Sequence, residues 1–314
     1  MNEIRLLSVA ERELLALKGV EECDSLPVLP VVVSTLLAID EDNPYSLDYA
    51  LSIAKADPCF AARVISLAYR HRDYEMTDAL ALGPAIRALG KEGLATPLLD
   101  HSKALVFAPS QDAQKHLWMH AIQVAMLSEQ LSYLVSWEVD GELAYFAGLL
   151  HDLGRFVSYF KESDLPIYLE AYGLAMPEDL TDAEAANAVV SHTLVGPTAS
   201  ETWGLPTVFR DVMARHHIIA HIEEVQDTTS ILTGIVRLAD AISYQLLSGH
   251  EPETPEFHAM LEEHLKFESI VHGDVVPTAE RIARMSRQCA DEAFVNFHNL
   301  EIGETNYTKH KSPI

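Results

Sequence analysis

Apolar residues recur along nearly the whole chain at the three-to-four spacing of a helix. No run alternates apolar and polar in the two-residue rhythm of a half-buried strand. The first expected helices are 11–20, ending near Gly19; 31–39, opening at Pro30; 47–55, capped by Ser46; and 58–69, capped by Asp57 with Pro58 in its first turn. Pro84 opens a further short helix through Leu89, closed by Gly90. Residues 111–135 read as one long helix with Leu117, Val124, Leu127, Leu131 and Leu134 on its apolar side, and 142–160 as another with Leu143, Phe146, Leu150, Leu153 and Val157. Asp182 is expected to cap a helix carrying 184–190, and Val195-Gly196-Pro197 to turn the chain. A helix from Pro206 ends near His216-His217, and helices over 231–247, 257–267 and 277–297 follow. The pattern predicts an all-α, multi-helix fold. An N-terminal helix (1–19) precedes a helical lobe over 20–109 packed on a second lobe over 110–249, with C-terminal helices over 250–304 and a polar, mobile tail at 305–314. The 277–297 helix either packs on this core or mediates association.

A few polar residues break that pattern. His151 and Asp152 lie inside the apolar run Ala147-Gly148-Leu149-Leu150-His151-Asp152-Leu153-Gly154-Arg155. His120 falls on the apolar side of its helix, four residues before Val124, and Asp240 interrupts Leu238-Ala239-Asp240-Ala241-Ile242. His192 and the doublet His216-His217 stand in similar settings. Burying an imidazole or a carboxylate is costly unless it is paired or bound to an ion. Five His and two Asp positions without a thiolate suit a hard or borderline divalent cation (Mg, Mn, Fe or Zn) and not a Cys-rich structural zinc site. The structural alternative is a set of core polar residues bonded to one another with no ion. His116, one turn before His120, is a candidate extra ligand. His71 and His101 have no partners at ligand spacing and read as surface or turn residues.

Composition narrows the setting. The 314 residues, 48% hydrophobic and 22% charged, suffice for a sizeable core. A net charge of −25 repels nucleic-acid phosphates and anionic membranes, so neither is expected as a partner, although a local basic pocket for one phosphate stays open. Cys23, Cys59 and Cys289 are sparse, odd in number and without a CxxC, which argues for a reducing compartment. The N-terminus lacks a signal-peptide arrangement and no apolar run reaches membrane-spanning length, so the expected location is cytoplasmic.

The order His120, His151-Asp152, His192, His216-His217, Asp240 resembles the HD superfamily of metal-dependent phosphohydrolases. Further segments narrow the likeness to the HDOD family of bacterial signalling proteins: Leu26-Pro27-Val28-Leu29-Pro30-Val31, Ala56-Asp57-Pro58, Ala85-Ile86-Arg87-Ala88-Leu89-Gly90, Ser191-His192-Thr193, Trp203-Gly204-Leu205-Pro206 and Arg215-His216-His217. The resemblance spans roughly residues 20–247 and implies an all-helical HDOD domain in a regulatory setting. By resemblance, His120, His151, Asp152 and Asp240 hold a primary ion, His192, His216 and His217 match the positions for a second, and Asp152 bridges the two. Asp152 and Arg155 are the candidate catalytic residues. Arg155 stands where the HD-GYP phosphodiesterases carry Lys, a cation suited to a substrate phosphate.

Two departures qualify this. After His216-His217 the chain reads Ile218-Ile219-Ala220-His221, without the Asp-Gly-x-Gly-Tyr-Pro segment of the cyclic di-GMP phosphodiesterases, and Ala68-Tyr69-Arg70 replaces the family's small Asn-Ser pattern. Two functions stay open. One is a signalling module that recognises a protein partner or a small phosphorylated ligand and carries an HD-type site with one or two divalent ions, or none. The other is a metal-dependent phosphohydrolase, a phosphodiesterase or nucleotide phosphohydrolase, that uses a metal-activated water.

Overall fold

The computed structural model describes residues 8–21, 28–40, 43, 45–70, 89–90, 93, 108–110, 112–135, 139–161, 177–187, 189–218, 227–267 and 278–300. Among them every extended element is an α-helix and no strand is present, as the apolar spacing requires. The helices are α1 (Val9–Glu21), α2 (Pro30–Leu37), α3 (Tyr45–Ala54), α4 (Pro58–Arg70), α5 (Asp112–Val135), α6 (Gly141–Leu150), α7 (Leu153–Lys161), α8 (Pro177–Ala186), α9 (His192–Trp203), α10 (Thr207–Arg215), α11 (Thr228–Leu247), α12 (Pro255–Phe267) and α13 (Ala279–Asn299). The expected helix after Pro84, Cys23, His71, His101 and the tail at 305–314 lie largely or wholly outside the described residues.

Side chains that satisfy orphan backbone N–H groups set many of the helix starts. Ser8 and Glu11 form a reciprocal capping box, with Ser8 N–H to Glu11 Oε2 at 2.8 Å and Glu11 N–H to Ser8 Oγ at 3.2 Å. Asp140, Asp227 and Thr278 accept from the third residue of α6, α11 and α13. Asp57 caps α4 as expected. Ser46 does not cap α3. The Asn43 carboxamide receives the Tyr45 N–H at 3.0 Å, and Ser46 Oγ turns back to the Asp40 N–H at 3.3 Å. The cap thus lies one turn before Ser46, because Asn43 reaches the first free donor.

Three further boundaries differ from the pattern. The expected 142–160 helix is two helices, α6 and α7, broken at His151-Asp152. The break has a local cause. His151 Nδ1–H donates to the Gly148 carbonyl at 2.7 Å, the acceptor a continuous helix offers to the Asp152 N–H. Asp182 caps nothing, since α8 starts five residues earlier at Pro177 and has ended by Val189, so Glu184 lies in its last turns. Val195-Gly196-Pro197 is no turn. It lies inside α9, which Ser191 caps and Gly204, at φ 71°, terminates. Pro197 costs the helix one backbone donor, and packing on α7 and α10 outweighs that loss.

Helix α5 is the axis of the packing. It lies against α6, α11 and α13, while α9 packs on α7 and α10, and α10 returns to α6 and α11. One hydrophobic core runs from Ala16 and Val20 on α1 through Phe146, Phe156, Phe209 and Ile235 to Phe297 on α13. The N-terminal helices share this core: α1 lies on α9 and α7, and Arg70 Nη2 of α4 donates to the Trp203 carbonyl at 2.6 Å.

Candidate metal centre

Four helices meet at the break between α6 and α7. His120 comes from α5, His151 and Asp152 from the break, His192 from the first residue of α9, His216 and His217 from the end of α10, and Asp240 from α11. Glycines permit the approach. A Cβ on Gly148 would stand 2.7 Å from both Ser128 Oγ and the Val124 carbonyl oxygen, so α6 lies close along α5 beside His120. A Cβ on Gly154 would stand 2.3 Å from the His192 carbonyl oxygen, so α7 and α9 cross where His192 faces Asp152. Arg237 of α11 holds the end of α10, donating to the carbonyls of His216 at 3.1 Å and Arg215 at 3.3 Å.

The donor atoms fall into two groups, Asp152, His192, His216 and His217, and beside it His120, His151 and Asp240. Asp152 lies between them. Its Oδ1 is 3.3 Å from His192 Nε2 and 3.7 Å from His216 Nε2, and its Oδ2 is 3.6 Å from His151 Nε2 and 3.7 Å from His120 Nε2. Asp240 Oδ1 is 3.1 Å from His120 Nε2 and 3.8 Å from His151 Nε2. All seven side chains are 0–7% exposed.

Outer hydrogen bonds fix which nitrogen of each ring looks inward. Ser243 Oγ spends its proton on Gln123 Oε1 at 2.9 Å, so it accepts from His120 Nδ1–H, also at 2.9 Å. His151 Nδ1–H goes to the Gly148 carbonyl at 2.7 Å, His192 Nδ1–H to Glu184 Oε1 at 2.8 Å, and His216 Nδ1–H to the Met213 carbonyl at 2.9 Å. Each ring so held therefore turns its Nε2 into the chamber. Those nitrogens come close: 3.3 Å for His120 and His151, 3.3 Å for His192 and His216, and 3.0 Å for His192 and His217. Lone pairs facing one another at that range repel unless a proton or a metal ion stands between them. Among the described residues no hydrogen bond reaches Asp152 Oδ1, either oxygen of Asp240, or His217 Nδ1, although all are buried.

Electrostatics point the same way. Burial pushes Asp152 up, but the Arg155 guanidinium at 2.7 Å, with His151 and His192, holds its carboxyl well below the usual range. Burial likewise raises Asp240, and the His120 contact and His151 outweigh it, so both carboxylates stay ionised. Burial lowers His151 to about 4 and, with neighbouring imidazoles, depresses His217 strongly. His192 is opposite: burial lowers it, but Glu184 and Asp152 raise it above the ordinary value. Buried carboxylates facing imidazole nitrogens fit a divalent cation. Separations of 3.0 to 3.8 Å match neighbouring ligands each about 2.1 Å from one ion.

The structure thus brings together His120, His151, Asp152, His192, His216, His217 and Asp240. Among the described residues His116 joins neither donor group. Arg155 lies at the edge, its Nη1 on Asp152 Oδ2 and its Nε and Nη2 on the Tyr159 hydroxyl at 3.3 and 3.1 Å. Sequence reasoning missed Glu184, Ser243, Gln123, Arg237 and Tyr159. Each supports a donor from outside the chamber, and no spacing rule connects, for example, Gln123 to Ser243 across 120 positions.

Comparison with known proteins adds the lineage. The HDOD domain profile matches residues 26–219, well over half of the chain. An uncharacterized protein of Treponema pallidum is 22% identical over 212 residues, which cover 67% of this chain and 41% of that protein, so the chain spans less than half of that relative. The response regulator MmoQ from Methylococcus capsulatus is 19% identical with a TM-score of 0.59, over 84% of this chain and 98% of that one. An HDOD domain protein with unknown function from Geobacter sulfurreducens gives 20% and 0.53 over 93% and 99%, and a virulence factor from Campylobacter jejuni gives 18% and 0.58 over 91% and 100%. At such identities the shared property is the fold.

Proposed function

The chain belongs to the HDOD domain family, and on that premise we propose that it is a signal-transduction module whose helical core carries a buried divalent-metal centre. One observation carries this reading: seven donors close on one another in a chamber 0–7% exposed, with the two oxygens of Asp152 directed at two separate sets of imidazoles. His120, His151 and Asp240 would hold one ion, His192, His216 and His217 the other, and Asp152 would serve both. Bound there, a divalent ion supplies positive charge to the buried carboxylates and can acidify a coordinated water. The residues do the rest. Ser243, Gly148, Glu184 and Met213 hold the rings with Nε2 inward, and Arg155 keeps Asp152 ionised and oriented. A closed chamber suits a centre that stabilises one conformation of a regulatory domain for a protein partner or a small phosphorylated ligand. MmoQ, of similar fold, is described as a response regulator, which is consistent with such a role.

The second reading is a metal-dependent phosphohydrolase. The completeness of the donor set and the placement of Arg155 beside Asp152 favour it. One experiment separates the two. Protein purified without chelator or nickel resin is analysed for metal, reconstituted with Mn, Fe, Mg or Zn, and assayed on phosphoesters and cyclic dinucleotides beside Asp152→Ala. The regulatory reading expects bound divalent metal in the wild type, its loss in Asp152→Ala with helicity intact, and no hydrolysis above a metal-only blank. Turnover that vanishes in Asp152→Ala would establish the hydrolase, and a wild type that never takes up metal would remove the metal centre altogether.

A further inference from the structure

The geometry points to Glu184 as a positioning residue that makes the His192, His216, His217 and Asp152 position the tighter of the two ion positions. The inference rests on the metal-centre reading above and goes beyond it by ranking the positions and naming the group that ranks them.

Glu184 is buried near the end of α8, eight residues before His192. Its carboxylate grips His192 twice. Oε1 receives the ring Nδ1–H at 2.8 Å, and the two oxygens lie 3.2 and 3.3 Å from the backbone N–H. Oε2 also accepts the hydroxyl of Ser191, the α9 cap, at 3.0 Å. The ring therefore cannot rotate to offer Nδ1 to the chamber without leaving a buried carboxylate short of a donor. An ionised acceptor also makes a shorter, stronger bond than a neutral one and draws the Nδ1 proton outward, which enriches Nε2 as a ligand. Among the described residues the matching bonds of the other rings end on neutral oxygens: the Ser243 hydroxyl for His120, the Gly148 carbonyl for His151 and the Met213 carbonyl for His216.

The neighbouring position has more carboxylate nearby, and charge alone would rank it first. Arg155 reverses that order. Its Nη1 lies 2.7 Å from Asp152 Oδ2, the oxygen turned toward His120 and His151, so a fixed cation already neutralises that side. Asp152 Oδ1, turned toward His192 and His216, accepts no hydrogen bond among the described residues. The position backed by Glu184 thus keeps three imidazoles and an uncommitted carboxylate oxygen, and the other keeps two imidazoles, Asp240 and an oxygen shared with Arg155.

The test uses the full chain and Zn2+ in chelator-competition titrations of wild type and Glu184→Gln. Gln keeps the size and one acceptor oxygen and loses the charge. The expected result is two-step binding in the wild type, with the tighter step weakened about 10- to 100-fold in the variant, the weaker step unmoved, and the thermal midpoint of metal-free protein near wild type. A role confined to capping α9 would lower that midpoint and leave both zinc steps in place, which would overturn the inference. So would a shift in the weaker step alone. The second measurement needs no variant: 15N-histidine NMR of zinc-loaded wild type should show His192 bound through Nε2 with Nδ1 protonated, and coordination through Nδ1 would overturn the assignment even if Glu184→Gln fails to fold. A wild type that binds no zinc removes the metal-centre reading and this inference together, whereas zinc binding with an unmoved tight step removes this inference alone.

Discussion

Asp57 shows at the scale of one residue how this chain uses a buried carboxylate. Oδ1 accepts the Cys59 and Phe60 N–H groups at 2.9 and 3.2 Å, and Oδ2 accepts the Leu29 N–H at 3.0 Å across 28 positions. One side chain therefore caps α4 and ties it to the residue before α2. Burial raises its carboxyl, and the Leu29, Phe60 and Cys59 donors with Arg63 offset only part of that rise. Asp57→Asn keeps the shape but turns an NH2 toward a backbone N–H. It should cost about 1–3 kcal/mol of stability, read from urea denaturation. A midpoint equal to wild type would show that neither helix start depends on the second oxygen. The contrast with Asp152 and Asp240 is chemical. Asp57 has a backbone donor for each oxygen, whereas the chamber carboxylates leave oxygens with none.

Between elements, the decisive contacts are made where side chains are missing. Gly154 lets α7 touch the backbone of α9, and a Cβ there would press on the carbonyl of His192 itself. Gly154→Ala should force the helices apart, lower stability by about 1–3 kcal/mol and weaken metal uptake. Thermal melts with metal analysis would check it, and unchanged metal content would mean that His192 tolerates the shift. The all-α class, most helix centres and the polar positions of the chamber were legible in the sequence, because apolar period and misplaced polar residues are local signals. What escaped were effects of contact between distant segments. The break at His151 follows from a side chain bonding its own helix, and α9 runs through Pro197 because α7 and α10 support it. Glu184 sits in the polar stretch Pro177–Ala186, where one more acidic residue looks like surface, and only the fold reveals it behind His192.

For the molecule as a whole, the C-terminal helix is part of the body of the fold. The helix expected over 277–297 lies as α13 along α5 and α12, burying Ile282, Ala283, Cys289, Ala293 and Phe297. Arg287 clamps it to the α11–α12 connection through Glu253 at 2.7 Å and through Glu251. Phe297→Ala should therefore cost about 3–5 kcal/mol in equilibrium unfolding. A loss below 1 kcal/mol would mean that α13 detaches without disturbing α5. No helix among the described residues is long and apolar enough to cross a membrane. Helix α11, which begins at Thr228, brings Asp240, Ser243 and Arg237 to the chamber. One helix thus supplies the chamber with a carboxylate, the hydrogen-bond acceptor that orients His120 and the clamp on the end of α10, so a break in α11 would remove the charge, the orientation and the footing of the centre together.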